Sequence, residues 1–172
     1  MPKITKAEFE KGKIESKRLV GKVLQDASHD PESKRQVTES ARSIIQDSSS
    51  SKNAKASSMF LLGKMQSESA VPDLIENLDK PVIDPEEKRM PYGQADALTA
   101  IVMIGEKAVP FLKESIDTIG VSKLRKLVSA LYLITKETSF IKGKLTERLN
   151  RAAPGEKPEI QKILDDVNTW NP

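Results

Sequence analysis

The 172-residue chain contains no cysteine. Disulfides, thiolate nucleophiles, cysteine-bound zinc and iron–sulfur clusters are excluded together. Aromatic residues make up only 4% and strand formers are scarce, which argues against a β-rich fold. The single histidine, His29, stands beside Asp30 at an expected helix start, and one isolated ligand makes no metal site. No apolar run approaches the ~20 residues needed to cross a bilayer. The charged start Met1-Pro-Lys-Ile-Thr-Lys also lacks the apolar stretch of a signal peptide. A soluble, cytoplasmic protein with no membrane partner is the expectation. Walker loops, dinucleotide glycine fingerprints, nucleophile elbows and paired metal-ligand motifs are missing too, so no catalytic residue, cofactor or metal is expected.

What the chain does have is charge, 31% of residues against 37% hydrophobic, a balance that suits an elongated stack of amphipathic helices. The charge is unevenly spread. Residues 66–118 carry 5 basic and 11 acidic side chains, whereas residues 119–151 carry 8 and 2. Clustered charge of opposite sign steers association and is a candidate partner signal.

Helix signals recur along the chain. Thr5-Lys-Ala-Glu8 has the form of a capping box and opens a first helix to about Gln25, with Phe9, Leu19, Val20, Val23 and Leu24 on its face. Asp30-Pro31 pairs an N-cap with a first-turn proline, and Val37, Ala41, Ile44 and Ile45 then form one stripe to about Asp47. Ser48–Ser51 is a loop that offers the next cap. Ala54, Leu61, Leu62 and Met65 mark a third helix, and Val71, Leu74, Ile75 and Leu78 a short fourth one that tolerates Pro72 in its first turn. Lys80–Pro91 holds three prolines and is expected to be a long loop. A deeply buried helix should start near Tyr92 and run through Ala95, Ala97, Leu98, Ile101, Val102 and Ile104. Val109, Leu112 and Ile116 mark its successor, with Gly120 expected as a left-handed C-cap. Leu124, Leu127, Val128, Leu131 and Ile134 form a clean stripe. An eighth helix should start after Ser139 and end at Ala152-Ala-Pro-Gly155, and the last carries Ile160, Ile163, Leu164, Val167 and Trp170 with a charged opposite face. Trp170 completes that helix's stripe and is expected to cap the core.

An internal repeat organises these helices. Leu61-Leu62-Gly63 followed by Ala70-Val71-Pro72-Asp-Leu74 is echoed by Met103-Ile104-Gly105 followed by Ala108-Val109-Pro110-Phe-Leu112. The two Ala-Val-Pro triplets lie 38 residues apart. The pattern predicts a helix closed by glycine, a tight turn, and a second helix entered through a first-turn proline. At these residues the sequence resembles HEAT repeats, especially the short bacterial and archaeal kind found in phycobilin lyase subunits. The resemblance implies an all-α superhelix of the armadillo and HEAT type, about four antiparallel helix pairs plus a C-terminal capping helix, in a single domain over residues 1–172. Within it, residues 1–50 would be an N-terminal pair, 52–118 two clear repeats, 121–153 a degenerate third pair and 156–170 the cap.

Solenoids of this kind mostly bind, so the expected function is non-catalytic: a scaffold or interaction module holding another protein on its inner helix face. Asp73, Asn77, Lys113, Asp117, Lys144 and Arg148 are the candidate surface residues. A basic block in residues 123–151, with Lys123, Arg125 and Lys126 beside Lys144 and Arg148, is either a pair of solvated helix faces or a patch for nucleic acid or another polyanion. A lyase-type enzyme subunit is the third reading. The loop from Lys80 offers Val82, Ile83, Met90 and Tyr92 as apolar recognition residues, set against its simpler reading as an insertion between repeats.

Overall fold

The computed structural model describes residues 20–27, 29–81 and 95–170. Among these there is no strand, and no helix is long and apolar enough to cross a membrane. Residues 20–27 are helical (α1). There follow α2 (Pro31–Gln46), α3 (Lys52–Lys64), α4 (Val71–Glu76), α5 (Ala97–Ile104), α6 (Val109–Ser115), α7 (Val121–Thr135), α8 (Thr138–Arg151) and α9 (Lys157–Asn168). The Thr5–Glu8 box and the loop residues Val82, Ile83, Met90 and Tyr92 lie outside the described residues.

Local chemistry sets most boundaries. Asp30 accepts from the amides of Glu32 and Ser33 at the start of α2, with Pro31 in the first turn. Ser51 accepts from the Ala54 amide and opens α3. The buried helix begins at Ala97, later than the expected start near Tyr92, because the Asp96 carboxylate accepts from the Thr99 amide at 2.7 Å and so serves as its cap. Asp96 itself is extended, and Ala95 just before it donates its amide to the Ala56 carbonyl at 3.0 Å. Helix α8 begins at Thr138, with Glu137 rather than Ser139 at its N-cap.

The helices form two layers. In one, α3, α5, α7 and α9 lie side by side; in the other, α2, α4, α6 and α8 each seat against the first-layer helix that follows them. One continuous apolar core results, running from Ala27 to Val167. The final helix α9 buries Ile160, Ile163 and Val167 while turning Glu156, Lys157, Glu159, Lys162 and Asp165 to solvent. Trp170 lies two residues past the end of α9, not on it, and packs against the core with its ring tilted on Tyr132, centroids 4.6 Å apart.

The repeat is visible in the backbone. Ala70 and Ala108 are both fully buried, both close a 3-10 turn (Glu68–Ala70 and Gly105–Ala108), and both are followed by the Val-Pro that opens α4 or α6. The two glycines of the echo are not equivalent. Gly63 lies within α3, whose end is made by Gln66 at φ 49, with Ser67 N–H donating to the Leu62 carbonyl. Only Gly105, at φ 74, terminates its helix. A Cβ on Gly63 would meet the Met103 Cβ at 3.0 Å and the Ala100 backbone at 3.1 Å, so this glycine lets α3 and α5 approach closely. Gly105 follows Gly63 by 42 residues while the triplets are 38 apart, a mismatch of about one helical turn. Gly120 is also not a left-handed cap: at φ −58, ψ 147 it is extended and precedes α7.

Candidate functional site

The second-layer helices carry most of the residues singled out in the sequence, and the structure engages nearly all of them between successive units. Asp73, on the first turn of α4, is largely buried and ion-pairs with Arg42 of α2, while Gln46 of α2 donates to its other oxygen at 2.6 Å. Asn77 is not a surface residue. It is 4% exposed, its amide donates to the Asp73 carbonyl at 2.8 Å, and its buried side-chain oxygen has no hydrogen-bond partner. Lys113 reaches Glu137 at 3.1 Å and lies over the Phe140 ring. Asp117, just past α6, receives Lys144 at 3.1 Å and Arg151 at 3.0 Å, both from α8.

The basic block is absorbed in the same way. Lys123 pairs with Glu76 at 3.0 Å, joining α7 to α4, and Arg125 pairs with Asp166 and, more distantly, Glu159 of α9. Arg148 donates to the carbonyls of Ile116 (2.6 Å) and Ile119. Those carbonyls follow the end of α6 and have no helical partner, so the guanidinium fork caps the helix from outside. Burial pushes Arg148 below the usual guanidinium range, whereas the hydrogen bond from Lys144 to Asp117, helped by Glu147, holds the Lys144 ammonium above its ordinary value. Of the block's candidates, Lys126 alone makes neither an ion pair nor a side-chain hydrogen bond among the described residues.

Beside this network lies a groove of about 780 Å³ that sequence inspection missed. It runs beside α2, the turn before α4 and the start of α6, and is lined by Lys34, Arg35 and Arg42 of α2, by the Gln66–Ser69 turn, and by Lys107 and Phe111. The signal for it was the 38-residue period itself. Pro31, Ser69 and Lys107 share one repeat position, and Arg35, Asp73 and Phe111 share another.

A family model described as PBS lyase HEAT-like repeat matches residues 54–80. That span covers α3, the Gln66–Ser69 turn and α4, one complete helix–turn–helix unit. Residues 54–80 are thus similar to a HEAT-like repeat, and the described helices around them form an all-α repeat stack. No curated protein and no solved structure matches the chain. As a HEAT-like stack it repeats the matched unit in α5–α6, where the buried alanine, 3-10 turn and Val-Pro entry recur without a separate match.

Proposed function

We propose that this HEAT-like stack is a non-catalytic cytoplasmic interaction module that holds another protein along the side formed by α2, α4, α6 and α8. The observation that carries this is the division of labour on that side. The pairs Arg42–Asp73, Lys123–Glu76 and Lys144–Asp117 tie successive units together into a framework, and a groove stays open beside α2, the turn before α4 and the start of α6. Nucleic-acid binding ranks second. Phosphate contact draws its strength from cations that release counterions, and Lys123, Arg125, Lys144 and Arg151 already face carboxylates. The lyase-subunit reading rests on the name of the matched family and on no geometry.

A photo-crosslinking amino acid placed at Glu114 of α6 or Thr146 of α8, both exposed, should trap one protein in stoichiometric amount in the native cell. The same probe at Asn53 of α3 or Leu133 of α7, exposed positions of the other layer, should trap none. Equal trapping from both layers, or none from α6 and α8, contradicts the assignment.

A further inference from the structure

We infer that the groove along α2, the Gln66–Ser69 turn and the start of α6 takes an extended peptide bearing a discrete acidic side chain, drawn by Lys34 and Lys107. This rests on the interaction-module reading and narrows it to one site and one ligand class. At about 780 Å³ the groove is within the ordinary size of a ligand site.

Charge selects the ligand. Four cations line the groove, and two are already committed: Arg35 to Glu32 at 2.6 Å and Glu39 at 2.8 Å, and Arg42 to Asp73. Lys34 and Lys107 make no ion pair among the described residues. The first comes from α2 and the second from the turn into α6, so the two outer units of the groove each present an unengaged ammonium. A ligand carboxylate would be drawn to either of them. Glu68, which makes no ion pair among the described residues, shares the lining and opposes a continuous polyanion, which selects a discrete acid over a phosphate backbone. Half-buried Phe111 supplies an apolar contact beside it.

The turn contributes a second observation. Gln66 is held at φ 49, a left-handed conformation that glycine adopts without strain, and its side chain lines the groove. A residue with an amide donor and acceptor stands where the turn alone calls for none, and both groups suit a peptide backbone.

The test uses the full chain as bait for a displayed library of random 12-residue peptides, and then a fluorescein-labelled copy of the dominant peptide in anisotropy titrations. Selected peptides should share an Asp or Glu next to an apolar residue. The double reversal Lys34→Glu/Lys107→Glu should weaken the labelled peptide by about tenfold or more and should select Lys- or Arg-bearing peptides instead. Circular dichroism checks that the variant is folded, and Lys157→Glu/Lys162→Glu on α9 should leave affinity unchanged. A peptide insensitive to the groove reversal, or displaced equally by a thymidine 20-mer, overturns the groove assignment while leaving the interaction module intact. Failure to select any peptide also overturns it, and the module reading then stands or falls on the crosslinks from α6 and α8.

Discussion

At the scale of single residues, two glycines that look alike in sequence differ in what they do. Gly63 sits inside a helix with the Ala100 backbone 3.1 Å from where a Cβ would be. Gly105 has open space around it but a φ of 74. Substituting Gly63 should therefore cost more as the side chain grows. Alanine meets an overpacking cost of about 1–3 kcal/mol, offset by about 1 kcal/mol of helix propensity, and leucine should cost well beyond that. At Gly105 the cost is backbone strain of about 1–3 kcal/mol, nearly the same for alanine, lysine or leucine. Urea melts of the two series check this, and a flat series at Gly63 would mean that α3 and α5 are not so closely set. Asn77 gives a sharper case. Asn77→Asp would place a carboxylate at a 4%-exposed site with no cation partner, at a cost on the order of 3 kcal/mol. Burial would raise the folded-state pKa of that carboxyl above its unfolded value. The deficit relative to the parent should then be small below pH ~4 and grow as pH rises through the raised pKa. A deficit independent of pH would show that the side chain turns out to solvent.

At the scale of elements, most helix starts were legible because they are written locally. Asp30 and Ser51 cap within three residues of themselves, and the Val-Pro pairs announce α4 and α6. Asp96 was equally local but was passed over because the apolar run reaches back past it. Gly63 was misread because a close-approach glycine and a terminating glycine share a letter, and only the neighbouring helix separates them. The surface residues were illegible for a different reason. Arg42 finds Asp73 across 31 residues and Lys123 finds Glu76 across 47, so residues that look free along a helix are spent across the stack. Arg148 is the clearest of these, since its partners are backbone carbonyls that no charge pattern reveals. Arg148→Lys should not be conservative. A single ammonium cannot reproduce the fork to Ile116 and Ile119, and the loss should be about 1–2 kcal/mol. A thermal melt matching the parent would show that the end of α6 is satisfied without the fork.

At the scale of the whole molecule, the uneven charge acquires a meaning its sequence pattern did not supply. The acidic block of residues 66–118 and the basic block of 119–151 meet through Lys123–Glu76, Lys144–Asp117 and Arg151–Asp117. Exposed pairs of this kind contribute little each, about 0–1 kcal/mol. Their role is to hold the register of neighbouring units while the apolar core supplies the stability. That core is one cluster from α1 to α9, and each helix that joins it depends on its neighbours. A repeat stack with so few units should therefore unfold as a whole. Trp170 makes this measurable, because it is the only tryptophan and it packs on Tyr132 at the C-terminal end. Its fluorescence reports the last units alone, while circular dichroism at 222 nm reports all helices. The two signals should give coincident urea midpoints with a common slope. A tryptophan transition at distinctly lower urea would show α9 and its neighbours detaching first. The open groove near the other end, beside α2, the Gln66–Ser69 turn and the start of α6, would then survive in a shortened stack, and binding there should persist through the first transition.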